Sequence, residues 1–322
     1  MTRPRILLAL TLAATLAAAL SLMAGKTWVP FDAWWSTDPR WWIIFDLRVP
    51  RTLLALMIGA VLGLSGAVLQ GYLRNPLADP GLVGVSSAAA FGAVTAIFFG
   101  IGGSVWMLAG SAMAAAALSV ALLAFLVGRS ASAVSFILAG TILSALAAAL
   151  TTLLISIAPN PFATAEIVTW LMGALTDRGY DEIVFAAPFM ALGALLLLTT
   201  GRTLDALALG EDVARSMGIS IPRLQAIIAL GLGLGVGASV AVTGVVGFVG
   251  LIVPHIVRPL VGQKPSALLV PSMLAGALLL TIADSLVRMT PGAGELKLGV
   301  AMALIGAPFF FWLLWRYRRH MA

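Results

Sequence analysis

Polar side chains stand at both ends of one long apolar run near the start of the chain. Arg48 and Arg51 precede the run, and Gln70, Arg74 and Asn75 close it. An uncharged run of about 20 residues spans a bilayer as a helix, so its two polar ends would lie on opposite sides of a membrane. The chain therefore offers groups that can bind a partner on each side, an arrangement typical of a transporter subunit.

Motifs for nucleotide binding are incomplete. The segment 25–27 reads GKT, like the end of a phosphate-binding loop, but Leu20 stands where that motif requires a glycine. The run GLGLGVG at 231–237 fails the GxGxxG spacing because Val236 replaces the third glycine. The sequence predicts that this chain does not itself bind ATP.

Catalytic and metal-binding patterns are also missing from the sequence. It contains no HExxH or GxSxG motif and no cysteine, and its histidines are His255 and His320. Asp284 and Glu295 lie close to the ends of predicted spans, where we expect them at the membrane interface rather than in a proton relay. We therefore expect no enzymatic activity, no metal site and no cofactor.

The composition is that of an integral membrane protein. Of the 322 residues, 61% are hydrophobic and 10% are charged, and the mean hydropathy is +1.06, whereas soluble domains contain about 25% charged residues. The apolar runs are about 20 residues long, which favours helices over a barrel of short alternating strands. We predict an all-α, polytopic fold that forms one transmembrane domain, residues 1–322.

Ten apolar runs qualify as transmembrane helices. They cover roughly residues 5–25, 50–73, 83–101, 106–128, 133–157, 183–201, 223–243, 245–262, 267–288 and 296–316. The first run resembles a cleavable signal peptide, but a chain with many later spans needs no such signal, and we interpret it as a helix. GxxxG pairs such as Gly59 and Gly63 predict close helix packing.

The charges of the loops indicate an orientation. With both termini in the cytoplasm, most of the 19 Lys and Arg residues fall on the cytoplasmic side, and most of the 13 Asp and Glu residues fall on the other. The positive-inside rule favours this distribution. The net charge of +6 is then a topology signal, and we expect no nucleic-acid partner.

Tryptophans crowd the outer loop that follows the first span, at Trp28, Trp34, Trp35, Trp41 and Trp42. Tryptophan is enriched at the level of the lipid headgroups. We interpret the cluster as an interfacial belt in contact with lipid. A cluster of aromatic side chains that contacts a ligand is the alternative.

The longest polar interruption on the cytoplasmic side runs from Arg202 to Arg223. Apolar residues alternate there with Asp, Glu and Arg, which predicts short amphipathic helices separated at Gly210 and Gly218. A helix that lies on lipid favours Lys and Arg on its polar face, whereas this segment is as acidic as it is basic. A docking surface for a cytoplasmic protein therefore fits better than a lipid-lying loop.

The segment 244–258, GVVGFVGLIVPHIVR, predicts a broken helix. Three glycines and Pro254 interrupt an apolar run, and irregular backbone inside a membrane must be covered by protein or line a cavity. His255 and Arg258 lie one turn apart near its cytoplasmic end. We expect a structural hydrogen bond as the role of the histidine.

The fifth predicted span carries hydroxyl side chains on one face about 100° wide: Thr141, Ser144, Thr151 and Thr152. Ser and Thr commonly form hydrogen bonds between membrane helices. A mildly polar pathway lining for a large solute explains these residues equally well, and both interpretations stay open.

Four segments together resemble the permeases of ABC importers for iron siderophores, vitamin B12 and haem, the type II importers. The segments are 48–87 (RVPRTLLALMIGAVLGLSGAVLQGYLRNPLADPGLVGVSS), 210–219 (GEDVARSMGI), 244–258 and 299–316 (GVAMALIGAPFFFWLLWR). The resemblance covers nearly the whole chain. It implies a homodimer of ten-helix permeases in the bacterial inner membrane, two cytoplasmic ATPase subunits and a periplasmic binding protein.

The resemblance also implies roles for individual residues. Coupling to the ATPase would use Gly210, Glu211, Asp212, Ala214, Arg215, Met217 and Gly218. Acidic groups of the binding protein would dock on Arg48 and Arg51. The turn between the fourth and fifth spans would form part of the cytoplasmic gate, with Gly128, Arg129, Ser130 and Ser132.

The chain departs from the family pattern at three places. Ala88 replaces a glycine after the first segment, Lys297 replaces a proline before the last span, and a threonine that is usual near Met302 is missing. We expect Lys297 to add a third positive contact for the binding protein or to alter the outer gate.

These features predict an importer permease for a ferric siderophore or a related large organometallic ligand, with haem and cobalamin as alternatives. An ion-coupled secondary transporter is the competing class. It would need buried charges or cation-binding carboxylates in its spans, which we do not expect from this sequence.

Overall fold

The computed structural model describes residues 3–35, 38–128, 132–292 and 294–321, and these ranges contain α-helices and no β-strand. The helices are α1 (Arg3–Met23), α2 (Val49–Leu73), α3 (Val85–Phe98), α4 (Val105–Val127), α5 (Ala133–Ser156), α6 (Pro161–Leu171), α7 (Tyr180–Thr199), α8 (Gly201–Leu207), α9 (Glu211–Ser216), α10 (Ile221–Thr243), α11 (Val249–Val261), α12 (Pro265–Arg288) and α13 (Leu298–Met321). The prediction of an all-α polytopic fold is confirmed.

Each of the ten predicted spans coincides with a helix. Among the described residues, seven helices are long and apolar enough to cross a membrane, while α3, α11 and the Leu298–Leu313 part of α13 are shorter apolar helices. The apolar runs do not predict α6, because its 11 residues are too few to span a bilayer. The sequence nevertheless contains a signal for the start of this helix, because Asn160 caps it and Pro161 occupies its first turn.

Helices α2 and α10 form the centre of the bundle. Most residues of both are buried, with α12 packed along α2 and α7 packed along α10. A Cβ atom on Gly59 would overlap the backbone of Gly276, and one on Gly193 would overlap that of Gly235. Glycine thus lets the backbones approach closely enough for dispersion packing, as the GxxxG spacing predicts.

Helix α1 lies at the edge of the bundle. Leu8, Leu12, Leu16 and Leu20 repeat along one face and are each more than half exposed. The helix packs mainly against α12. In a protein that spans a membrane, an exposed leucine stripe of this kind faces lipid.

The backbone between α10 and α11 is irregular, which confirms the predicted broken helix. Phe248 has a φ of +68°, a conformation that a bulky residue rarely adopts, and a Cβ on Gly306 would overlap its ring. A Cβ on Gly66 would overlap the backbone of Gly250, which itself lies against Pro80. Protein therefore covers this non-helical stretch, as the membrane requires.

Contacts between helix ends define two opposite sides of the bundle. On one side Gly71, at the end of α2, lies against Leu204 and Pro265, and we call this the coupling side. On the other side the Ser21 and Thr52 hydroxyls are 2.8 Å apart, which joins the end of α1 to the start of α2. We call this the tryptophan side, since the described parts of the outer loop, residues 24–35 and 38–48, lie there.

Candidate functional site

The coupling segment consists of α8, α9 and the turns that flank α9. Gly210 separates the two helices with a φ of +119°, and Gly218 follows α9 with a φ of +80°. At both glycines the space that a Cβ would occupy is open to 4 Å. The backbone conformation, rather than crowding, therefore favours glycine here. The prediction of two short helices divided at Gly210 is confirmed.

Buried residues and one ion pair fix the coupling segment to the bundle. Leu204 and Ala214 are fully buried. The Asp205 carboxylate lies 3.3 Å from Lys264 Nζ and accepts a hydrogen bond from Ser266 N at 2.8 Å, which ties α8 to the start of α12. Burial disfavours the charged carboxylate, but the bonds from Ser266 and Lys264 outweigh it and lower the pKa of Asp205.

The outward surface of the coupling segment combines charges with exposed apolar side chains. Leu209 is 68% exposed, Met217 is 61% exposed, and Val213 is exposed as well. Glu211 and Arg215 form a pair on α9, with 3.6 Å between carboxylate and guanidinium. A cleft of about 600 Å³ opens between this surface and the start of α12. Exposed apolar side chains rimmed by charge are typical of a protein-binding surface.

The residues predicted for coupling do not all face outward. Asp212 is exposed, whereas Ala214 packs into the bundle and presents no side chain to a partner. Leu209 and Val213 were not among the residues that the resemblance names, although they supply much of the exposed apolar surface. The sequence signal for them is an apolar residue within an otherwise polar segment.

The two ends of the predicted gate turn lie within the described residues. Gly128 ends α4 with a φ of +55° and is exposed. Ser132 caps α5, since Val134 N donates to its Oγ at 3.2 Å. Arg129 and Ser130 lie outside the described residues. A cleft of about 180 Å³, lined by α4, α5 and α10, lies beside Gly128.

Gln70 joins three elements on the coupling side. Its Oε1 accepts a hydrogen bond from Arg258 Nη2 at 2.7 Å. Its Nε2 lies within 3.4 Å of the backbone oxygens of Ala78, Gly250 and Leu251. The polar residue at the end of the first apolar run therefore bonds to the broken helix and to the turn after α2, a role that the sequence does not predict.

The hydroxyl face of α5 is divided in the structure. Thr141 and Thr152 are exposed, but Thr151 is buried, and each of the three donates to a carbonyl oxygen of its own helix at 2.8–2.9 Å. Ser144 Oγ lies 3.4 Å from the backbone oxygen of Gly81 in the neighbouring turn. Thr141 and Thr152 therefore remain candidates for a pathway lining, while the place of Thr151 disagrees with that role.

Arg48 and Arg51 are not free surface groups, which corrects the expectation of exposed docking charges. They are 6% and 8% exposed. Arg51 donates to Asp284 at 2.9 and 3.1 Å and to Glu295 at 2.8 Å. Arg48 donates to two backbone oxygens at and just after the end of α1. Both arginines line a cleft that is open to a partner.

Asp284 is fully buried inside the bundle near the end of α12, while its position at the level of the membrane interface stays a prediction. It lies between Arg51 and Arg288, whose Nε donates to it at 2.8 Å. The spans therefore do contain buried charges, contrary to the expectation from the sequence. The spacing of Asp284 and Arg288, four residues apart on α12, was the available signal.

Cationic side chains of the tryptophan side line two separate clefts. Lys26, Arg48, Arg51 and Arg288 line one cleft of about 230 Å³, together with Glu295. Lys297 instead lines a second cleft of about 450 Å³, with Glu166 and Asp177. Lys297 therefore lies in a separate cleft from the two arginines, and its role as a third positive contact for the binding protein stays a prediction.

Three glycines form a junction on the tryptophan side that the sequence does not predict. Gly299 N donates to the backbone oxygen of Gly173 at 3.1 Å. A Cβ on Gly299 would overlap the carbonyl oxygens of Met172 and Val245, and one on Gly244 would overlap the backbone of Trp170. Close backbone contacts at this junction join the ends of α6 and α10 to the start of α13.

The outer loop has a small core of its own, formed by Val29, Ala33 and Ile44. Most of its tryptophans are exposed, led by Trp35 at 85%. Their assignment to a lipid interface stays a prediction. In the part of the chain that the structure describes, no three His, Asp or Glu side chains gather into a group that could hold a metal ion.

Comparisons with known proteins agree with one another. A model of the FecCD transport family matches residues 10–316. The chain is 37% identical over 313 residues to the Fe(3+) dicitrate transport system permease protein FecD of Escherichia coli (strain K12), covering 96% of this chain and 98% of that protein. It is 36% identical over 321 residues to the vitamin B12 import system permease protein BtuC of Salmonella typhi, covering 98% and 96%.

A solved structure matches the fold over almost its full length. It is an inward-facing conformation of a metal-chelate type ABC transporter, with a TM-score of 0.87 and 36% sequence identity. The alignment covers 98% of this chain and 99% of that one.

Proposed function

The chain belongs to the FecCD transport family, and from this premise we propose that it is the permease subunit of an ATP-binding-cassette importer for a metal chelate or a related organometallic ligand. Relatives named for ferric dicitrate and for vitamin B12 are almost equally similar to it. The class of ligand follows from these relatives, and a ferric chelate is the proposed cargo, with haem and cobalamin as alternatives.

A separate ATPase subunit docks on the coupling segment in this proposal. The exposed apolar group Leu209, Val213 and Met217, with the Glu211–Arg215 pair beside it, supports a protein interface. The Asp205–Lys264 pair fixes α8 to α12. A displacement of the coupling segment by the ATPase would therefore also displace α12. ATP hydrolysis takes place on that partner, because this sequence has no complete nucleotide-binding motif.

A periplasmic binding protein docks on the tryptophan side. Four cations line the cleft of about 230 Å³ there, and one carboxylate, Glu295, lies among them. Such a cleft favours an acidic side chain that enters it. The docking group is therefore a cleft with Lys26 and Arg288 beside Arg48 and Arg51, rather than two exposed arginines.

The assembly contains two copies of this chain and two ATPase subunits in the bacterial inner membrane, with both termini and the coupling segment in the cytoplasm. The family resemblance supports the homodimer, and the loop charges support the orientation. Lipid surrounds the leucine stripe of α1. A metal or cofactor held by the chain is not part of the proposal, since the chelate is cargo.

The main support for the proposal is the exposed apolar surface of the coupling segment, which the Asp205–Lys264 pair fixes to the bundle. The test is co-purification of the cognate ATPase subunit with the full chain in nanodiscs. Leu209→Asp is expected to abolish co-purification, because a charge enters the centre of the interface. Ile101→Asp is the matched control, since Ile101 is also exposed but lies between α3 and α4 on the tryptophan side. Equal recovery of the ATPase with both variants would contradict the proposal.

An ion-coupled secondary transporter remains the rival class because Asp284 is buried. The geometry argues against it, since Asp284 is paired with Arg51 and Arg288 at hydrogen-bond distance. Hydrogen bonds from both guanidinium groups occupy the carboxylate oxygens, so Asp284 belongs to a structural ion-pair cluster rather than to a site for a transported ion. Uptake by the chain alone under a proton gradient would favour the rival.

A further inference from the structure

One buried amide on α10, the helix that follows the coupling segment, bonds to the residue that caps α5. Gln225 lies in the second turn of α10, only a few residues after α9, and it is 5% exposed. Its Nε2 donates to Tyr72 Oη at 2.6 Å and to the backbone oxygen of Ser132 at 3.4 Å. A single side chain thus bonds to the last turn of α2 and to the residue that caps α5.

The acceptors of this amide are themselves fixed. Tyr72 is buried, and its ring packs edge-on against Phe136 in the first turn of α5, with 5.4 Å between centroids. Ser132 caps α5 through its hydroxyl and meets Gln225 through its carbonyl oxygen. A shift of α10 along its axis would therefore pull on the start of α5 from two directions.

The surroundings of Gln225 leave room for such a shift. The cleft of about 180 Å³ beside Gln225 is lined mostly by apolar side chains of α4, α5 and α10, and it reaches Gly128 at the end of α4. Further along, α10 packs closely on α4, for example where Gly237 meets Ala116, so the cleft is a local gap near the ends of these helices. Here a directional hydrogen bond, rather than interdigitated side chains, joins α10 to the start of α5.

We propose that Gln225 is a positioning residue that transmits movement of the coupling segment to the start of α5, beside the predicted gate turn. The inference rests on the proposed function, since it needs an ATPase that moves α9. It assigns a role to a residue outside the coupling segment and outside the predicted gate. The amide transmits a displacement through its hydrogen bonds and takes part in no reaction.

The absence of cysteine from the sequence makes a direct test possible. Two single-cysteine forms carry a bimane fluorophore, one at Ser216→Cys at the end of α9 and one at Val134→Cys, an exposed position in the first turn of α5. The full chain in nanodiscs is loaded with the ATPase subunits, and emission is recorded before and after ATP with vanadate. Both labels are expected to respond in the otherwise unchanged chain.

Gln225→Leu removes both hydrogen bonds at similar size. The response at position 134 is expected to disappear, while the response at position 216 persists. Tyr72→Phe, which removes a single hydroxyl, is expected to reduce the response at 134 without abolishing it, and thermal unfolding of each variant reports its folding. An undiminished response at 134 in well-folded Gln225→Leu would overturn the inference. If the emission of neither label changed in the otherwise unchanged chain, coupling through α9 would be refuted, and with it the proposed function.

Discussion

Removal of the charge at Asp284 should destabilise this protein more than any change to its exposed acids. Asp284 is fully buried and bonds to Arg51 at 2.9 Å and to Arg288 at 2.8 Å. Asp284→Asn leaves two buried guanidinium groups with Glu295 as the remaining carboxylate in this cluster. Breaking a buried ion pair by removing one partner costs about 3–5 kcal/mol, so we expect a loss of that size.

The assay is a titration of unfolding by SDS in mixed micelles, which compares the free energy of unfolding between variants. Glu166→Gln, at an exposed acid on α6, is the control and should change stability by less than about 0.5 kcal/mol. The double variant Asp284→Leu with Arg288→Leu keeps the Arg51–Glu295 pair at 2.8 Å and should be more stable than Asp284→Leu alone. Additive losses in the double variant would refute the account of a coupled charge cluster.

Three further predictions concern the glycine junction, the coupling segment and the outer loop. Gly299→Ala should lower the unfolding temperature because its Cβ would meet two carbonyl oxygens, whereas Gly294→Ala, with open space to 4 Å, should leave that temperature unchanged. The lowered pKa of Asp205 means that its charged form stabilises the fold. The free energy of unfolding should therefore be higher in the unchanged chain than in Asp205→Asn at any pH above the ordinary carboxyl pKa of about 4. This difference should disappear as the pH falls through the lowered pKa of Asp205. A difference that grows on acidification would contradict this. Brominated lipid should quench the fluorescence of Trp35 if the loop lies on the membrane surface, and a lack of quenching relative to buried Trp170 would place the loop away from lipid.

The fold was largely predictable because a bilayer permits few solutions. Apolar runs of about 20 residues identify the membrane helices, and Gly210 and Gly218 mark the ends of α9 correctly. The helix α6 escapes this reasoning because hydropathy reports length and apolar character, and 11 residues give too weak a signal. The cap at Asn160 was the better guide to it.

The sites were less predictable because they depend on contacts between distant residues. Arg51 and Asp284 are 233 positions apart, and no spacing rule links them. Arg48 and Arg51 stand at the entrance of an apolar run, which suggested exposure, but Arg48 bonds to the end of α1, and Arg51 bonds to Asp284 and Glu295. Gln225 is likewise an ordinary polar residue in the sequence, and only its hydrogen bonds to Tyr72 and Ser132 suggest its role.

The central claim is that a separate ATPase drives this chain through its coupling segment. The most direct test is uptake into proteoliposomes that contain the chain and the binding protein, with or without the cognate ATPase subunits, using labelled ferric dicitrate and labelled cyanocobalamin in separate assays. We predict uptake of one of these ligands only with the ATPase and ATP, and its loss in Leu209→Asp. Uptake at the full rate by the chain without any ATPase would contradict the account.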